Sequence, residues 1–252
     1  MRRAILLGAA IIALLLLAAW ALIPRGRAEA PATPRPPADR PVLGLFTSLP
    51  LYWAEAPDLA AMLAPEGEVH WARLALEGGY RLRPLDTLEG LTAREPRSLL
   101  MVQPRPLSPA ENVALDAWVR RGGRVLLFAD PALTQDSAFA LGDRRRPQDT
   151  VLLSPILTRW GLVLAFDEDQ PLGERTVALA GGQVPVNLPG QLVSAPGGSC
   201  RFEAGGLLAL CRIGKGQVTV IADAALFERV EQREAIEPRR RALLAVAEMA
   251  FR

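Results

Sequence analysis

Histidine occurs once in the 252 residues, at His70, and cysteine twice, at Cys200 and Cys211. Any Ser-His-Asp or Cys-His machinery would have to be built on that one imidazole. A zinc site of the usual kind, with four His or Cys ligands, cannot be assembled from this supply. Two cysteines allow at most one bridge, which excludes a disulfide-framed miniprotein. Phosphate loops are missing as well: there is no G-x-x-x-x-G-K-[ST] and no G-x-G-x-x-G after a strand. These absences remove the commonest hydrolase, metal and nucleotide readings, and the expectation is a chain with no cofactor, no metal and no catalytic residues. His70 itself, in Glu-Val-His-Trp, reads as a half-buried structural residue.

Positive charge is also scarce where it would matter. The formal net charge is +2, from 29 Lys+Arg against 27 Asp+Glu. Arg2, Arg3, Arg25, Arg27, Arg35 and Arg40 face only Glu29 and Asp39 in the first 41 residues, a net of +4, so 42–252 carries −2. A slightly acidic body has little to neutralise phosphates with, which argues against a nucleic-acid partner.

What is present begins with a long apolar run. Ala4–Ile23 is 20 residues without a charge, and at ~1.5 Å per helical residue it matches the roughly 30 Å hydrocarbon core of a bilayer. Arginines flank it on both sides, and Trp20 stands at one end, where an amphipathic ring suits the interface. A cleaved signal peptide is the alternative, since Ala18, Ala19 and Ala21 are small; an h-region of about 7–15 residues would be shorter. The reading is an uncleaved single-pass anchor over 1–23 in the inner (cytoplasmic) membrane, with the folded body extracytoplasmic, on the periplasmic side. Residues 24–41 contain six prolines and form an extended, semi-stiff linker.

The body, 42–252, alternates short apolar runs with helical patterns. Val42–Leu49, Ser98–Pro104 and Arg124–Asp130 read as buried strands. Tyr80–Leu88 reads as an edge strand and Pro57–Leu63 as a short helix. Ser108-Pro109-Ala110-Glu111 is a capping box with proline at N1; it opens a helix with Val113, Leu115, Trp118 and Val119 towards one side, closed by Gly122-Gly123. Strand, helix and strand in that order favour an α/β fold: a mostly parallel sheet covered on both faces. Residues 132–150 form a long polar loop. Leu152–Gly161 reads as a helix, and an irregular β-rich insertion follows at about 167–212. Leu207–Ile213 and Gly216–Asp223 are two strands joined at Gly214-Lys215, and Pro238–Phe251 is a closing helix.

Ligands of open α/β sheets bind outside the carboxyl ends of the strands. Thr47, Ser48, Gln103, Asp130 and Asp223 fall at such ends and are the ligand-binding candidates. The plainer reading of Asp130 and Asp223 is that they end buried strands. Arg144-Arg145-Arg146 is the candidate contact for an acidic partner or a phosphate; a solvated loop is the default reading. The carboxylate groups Glu55 with Asp58, and Asp167–Asp169, read as solvated. A hairpin centred between Gly205 and Gly206 sets Cys200 opposite Cys211. The pair is therefore a candidate disulfide outside the cytoplasm, or else two small buried thiols. A four-residue loop would make it a non-hydrogen-bonded pair, the geometry that suits a bridge.

The stretch LLMVQPRPLSPAENVALDAWVRRGGRVLLFADP (99–131) combines P-x-x-L-S-x-x-E, L-D-x-W-V-x-x-G-G and a strand ending in Asp-Pro; G-x-G-x-V-x-V-x-x-D follows at 214–223. Together they resemble the GldG-like auxiliary proteins of uncharacterised ABC-type transport systems and the related domain-of-unknown-function proteins (DUF4350). The resemblance implies a flavodoxin-like sheet of the class I glutamine amidotransferase type, with a transporter ATPase and permease as partners. Such amidotransferases carry a nucleophilic cysteine on the turn after a strand; the matching turn here is Gln103-Pro104-Arg105-Pro106. The expectation is therefore a non-enzymatic accessory module. The alternatives are a hydrolase or transferase at the strand-end edge, and a sensor of a small anionic ligand.

Overall fold

A computed structural model describes residues 39–63, 69–92, 94–230 and 232–252. The chain divides into two units, Met1–Arg35 and Pro36–Arg252, and all described residues belong to the second. The expected anchor and most of the proline-rich linker lie outside the described residues. Among the described residues no helix is long and apolar enough to cross a membrane.

The fold is α/β around a mostly parallel central sheet. Strands β1 (Val42–Thr47), β2 (Arg81–Pro84), β3 (Ser98–Val102) and β4 (Arg124–Phe128) are joined by β11 (Gly216–Ile221), β10 (Leu208–Ile213) and β9 (Arg201–Glu203). Their order is β2-β1-β3-β4-β11-β10-β9. Pairing is parallel from β2 to β11 and antiparallel from β11 through β10 to β9. Four consecutive residues in both β3 and β4 are buried. An unbroken apolar strand of this kind needs cover on both faces, which explains why neither strand alternates apolar with polar residues.

Among the described residues five α-helices accompany the sheet: α1 (Leu59–Leu63), α2 (Trp71–Glu77), α3 (Pro109–Arg120), α4 (Ser154–Arg159) and α5 (Ile236–Phe251). Helix α2 crosses from β1 to β2 and α3 from β3 to β4, in opposite directions along the sheet. Right-handed crossovers therefore carry them to opposite faces. The start of α3 is a complete capping box: the Ser108 hydroxyl accepts from the Glu111 amide (3.1 Å) and the Glu111 carboxylate accepts from the Ser108 amide (2.9 Å). Its buried residues are Glu111, Leu115, Asp116, Trp118 and Val119. Val113, expected on that side, is 70% exposed, because it lies two residues from Glu111 and Leu115 and about 200° round the helix from each.

Two smaller sheets complete the body. Strand β5 (Leu162–Ala165) pairs antiparallel with β8 (Gln191–Ser194), and β6 (Arg175–Leu179) pairs with β7 (Gly182–Val186). This is the region expected to be irregular. Gly216, where the β10–β11 turn returns to the sheet, has no room for a side chain: an added Cβ would lie 2.1 Å from the Val119 carbonyl oxygen. The register of β9 on β10 pairs Leu210 with Arg201 and, one step on, sets Cys200 opposite Cys211. A disulfide joins them, with a Cα–Cα distance of 4.3 Å. That spacing belongs to a non-hydrogen-bonded antiparallel pair.

Candidate functional site

The carboxyl ends of β1, β3, β4 and β11 bring Thr47, Ser48, Gln103, Asp130 and Asp223 to one edge of the sheet. Each spends its polar atoms on the protein itself. The Thr47 hydroxyl accepts from the Leu49 amide (2.9 Å), and the Ser48 hydroxyl donates to the Gln103 carbonyl. Gln103 is fully buried. Its side-chain oxygen accepts from the Asp130 amide (2.9 Å), and its NH₂ donates to the carbonyls of Asp130 (3.1 Å) and Gln148 (2.8 Å). The two aspartates behave alike. Asp130 accepts from the amides of Ala132 (2.8 Å) and Ala224 (2.9 Å), and Asp223 from those of Ala225 (2.7 Å) and Asn187 (2.9 Å). Side chains at this edge act as main-chain mimics, closing loops that have left the sheet and so lack ladder partners.

Burial raises both carboxyl groups. Asp130 is pushed up to about 7, against the pull of the two amides that favour its charged form. Asp223 is raised well above the carboxylate range, first by burial and then by the neighbouring Asp130 charge. Glu228 is raised mainly by burial, and it accepts a hydrogen bond from the Thr134 hydroxyl. Thr134 in turn accepts from the Asn187 amide group (2.9 Å). Residues 130, 134, 187, 223 and 228 thus form one polar network. Asn187, Thr134 and Glu228 carry no sequence signal for membership, because they come from three separate loops.

Of Arg144, Arg145 and Arg146, the last two are taken up by different partners. Arg145 pairs with Asp143 (2.8 Å) and lies over the Phe139 ring, 4.4 Å from its centroid. Arg146 donates to the Phe139 carbonyl (3.0 Å) and reaches Asp149 (3.4 Å). These two hold the 137–149 loop onto itself. His70 caps α2: its Nδ1 accepts from the Ala72 amide (3.2 Å). Burial lowers its pKa to about 4, so the imidazole is neutral.

Cavities lie around the edge among the described residues. One of about 660 Å³ lies beside Asp130 and is walled mainly by apolar groups, among them Leu133, Val151, Leu157, Leu164 and Phe166. A second, of about 560 Å³, lies between Trp53, His70, Trp71 and Leu74. The third, of about 430 Å³, opens from Thr47 and Ser48 towards Met62 and Phe139. Among the described residues no group of three or more His, Cys, Asp or Glu is placed to hold a metal ion.

Residues 42–175 match the family described as an ABC-type uncharacterized transport system, more than half of the 252 residues. The chain belongs to that family. The match spans β1 to the start of β6 and so includes three of the four strand ends that build the edge. No curated protein matches the chain. Among solved structures it is similar to the exo-β-1,4-mannosidase Op5Man5 from Opitutaceae bacterium strain TAV5, at 14% identity and a TM-score of 0.51. That likeness covers 84% of this chain and 36% of the mannosidase, so the chain spans about a third of that enzyme's length. At such identity it is a likeness of fold alone. A cytoplasmic protein from Salmonella typhimurium is similar at 11% identity and a TM-score of 0.46, over 81% of this chain and 97% of its own.

Proposed function

We propose that this member of the ABC-type transport family is a non-enzymatic accessory module, held at the inner membrane by residues 4–23 with its folded body outside the cytoplasm. Its partners would be the ATPase and permease subunits of the transporter. Within the family, the segments 99–131 and 214–223 favour the GldG-like and DUF4350 branch. The strand order β2-β1-β3-β4-β11 favours a flavodoxin-like sheet, whose five strands run 2-1-3-4-5, with β11 as the fifth.

The observation that carries the non-enzymatic reading is Gln103. It occupies the tight turn after β3 with φ of 40°, a left-handed conformation uncommon for a residue with a side chain. Strained turns of this kind persist where the surroundings over-determine them, and this is the turn on which an amidotransferase of this fold would present its cysteine. Here the side chain is an amide with no nucleophilic character, buried and hydrogen-bonded at both ends. The neighbouring carboxylates are likewise saturated by backbone amides. A sensor built on Arg144–Arg146 has less support, because two of the three guanidinium groups are occupied within their own loop.

Complementation tests the reading. In a strain lacking the chain, Asp130→Asn and Gln103→Ala proteins should restore the transport phenotype in proportion to the amount of folded protein. A variant present at full folded abundance with no restoration would point to chemistry at the edge and defeat the proposal.

A further inference from the structure

The amino edge of the central sheet, opposite the strand ends described above, carries a row of basic side chains. Arg97 precedes β3, Arg124 opens β4, Arg212 is the penultimate residue of β10, and Lys215 lies in the turn that leads into β11. All four are exposed, and none has a carboxylate at ion-pair distance among the described residues. The strand register lines them up. Arg124 stands beside Ser98 on one side and Gln217 on the other, and Gln217 stands beside Arg212. The Arg124 amide donates to the Arg97 carbonyl (3.0 Å), and the Lys215 amide donates to the Arg120 carbonyl (3.0 Å). At about 4.8 Å between strands, the row from β3 to β10 is roughly 14 Å long. Neighbouring charges in it fall inside a Debye length of about 8 Å and repel one another.

The needs of the fold do not account for this row. Arg120 and Arg121 end α3 and complement its dipole, and Arg120 and Arg159 share Asp116 (2.9 and 2.6 Å). Arg97, Arg212 and Lys215 stand on strand ends and a turn, where the sheet offers little dipole to offset. Arg124 meets only a carbonyl, that of Phe251 (2.9 Å). The body as a whole carries −2, so its acidic excess lies away from this edge. The path of the chain says what faces it. Strand β1 begins at Val42 beside β3, and the Pro41 carbonyl accepts from the Arg81 amide (2.9 Å), so the chain enters the sheet at this edge. Residues 1–38 contain five arginines and one carboxylate, Glu29, and bring the row no neutralising charge. Residues 24–41 separate the edge from the apolar run Ala4–Ile23, and even fully extended they span at most about 65 Å. A bilayer that holds the apolar run is therefore present at high effective concentration, where weak attraction suffices. A symmetric second copy would set the row against itself and add repulsion.

We propose that the amino edge of the sheet binds anionic phospholipid headgroups, so that the folded body rests against an acidic membrane surface through Arg97, Arg124, Arg212 and Lys215. Attraction of this kind accumulates over the basic residues near the surface and fades within a Debye length. The opposite edge, with Asp130 and Asp223, is then turned away from the bilayer and left open to other subunits. The inference rests on the anchored part of the accessory reading and deepens it by giving the body a membrane-facing side.

Lys215 is the only lysine in the chain, so amine acylation reads this edge directly. The full chain is reconstituted in nanodiscs of phosphatidylcholine, alone or mixed with phosphatidylglycerol, and treated with an uncharged acylating reagent; mass spectrometry follows the Lys215 peptide. An anionic surface slows the reaction by covering the amine and by holding it protonated, and both effects need the edge within a Debye length of the lipid. The rate should be at least about fivefold lower in the phosphatidylglycerol discs and should recover at roughly 0.5 M salt. Arg97→Glu combined with Arg212→Glu should abolish the difference. Circular dichroism melting checks that this variant folds, and the salt dependence of the wild type decides if it does not. Equal rates in the two discs, slowing that salt does not relieve, or a lipid dependence unchanged in the folded variant overturns the proposal. So does protection of Lys215 in native membranes with equal rates in both discs, which would assign the edge to an acidic protein. Alkaline carbonate extraction separates the two claims. A chain that stays in the membrane while Lys215 reacts equally in both discs ends the basic-edge proposal and leaves the anchored reading standing; a chain that is released ends both.

Discussion

Replacing Asp130 by asparagine should destabilise the protein at pH 5 and do little at pH 8. In the folded state burial holds Asp130 at about 7, whereas an unfolded aspartate titrates near 3.9, roughly its ordinary value. Between these values the folded state binds the extra proton, so the stability contributed by this group falls as pH rises through the window. Each pH unit inside it is worth about 1.4 kcal/mol, so the two units from pH 5 to 7 remove roughly 3 kcal/mol from the wild type. Asparagine does not titrate and escapes that loss. At pH 5 it sets an NH₂ donor against one of the two backbone amides that Asp130 accepts from, a mismatch costing about 1–3 kcal/mol. By pH 8 the wild type has lost a comparable amount, and Asp223, relieved of the Asp130 charge in the variant, shifts down and works in the same direction, so the gap should have closed or reversed. For a body of this size 1 kcal/mol corresponds to about 2–4 °C in Tm, so the gap between wild type and variant should close by roughly 6–12 °C. His70 titrates with the opposite sign, since its folded value is lowered to about 4, but it is common to both proteins and cancels in the comparison. Melting followed by circular dichroism at the two pH values is sufficient. A penalty that is equal at both, or larger at pH 8, would mean that Asp130 is stably ionised and would refute the account of the edge.

Four further outcomes are expected. Ser108→Ala should cost about 1 kcal/mol through loss of the α3 cap. Glu111→Ala should cost more, about 3 kcal/mol, because it also strips the Leu88 amide and the Arg105 guanidinium of their shared acceptor; urea unfolding with an unchanged m-value checks both. Reducing the Cys200–Cys211 bridge, which closes a separation of 11 residues, should lower stability by about 2–3 kcal/mol, and no change in Tm with a thiol reductant would count against its role. The single histidine gives one clean imidazole signal in an NMR titration; its midpoint should lie near 4, and a midpoint near 6.5 would contradict the buried cap.

Local rules made much of this legible. The β3-α3-β4 unit was readable because its strands are unbroken apolar runs and its helix begins with a capping box and N1 proline. The strand-end positions of Thr47, Ser48, Gln103, Asp130 and Asp223 followed from where those runs stop. The Cys200–Cys211 juxtaposition followed from the symmetry of a hairpin about Gly205-Gly206. What could not be read is long-range. Asn187 and Glu228 join the polar edge from loops whose positions depend on the whole insertion, and buried Arg239 pairs with Glu174 across 65 residues. Arg145 looked like a free charge, yet it ties down a loop, while His70, read as half-buried and structural, caps a helix.

The central claim is that the chain works inside a transporter assembly. Affinity purification of the full chain from gently solubilised membranes, with the co-purified proteins quantified by mass spectrometry, measures this directly. An accessory module should bring with it an ATP-binding-cassette ATPase and a permease subunit at levels comparable to the chain itself. Recovery of the chain alone, from membranes in which both subunits are present, would contradict it.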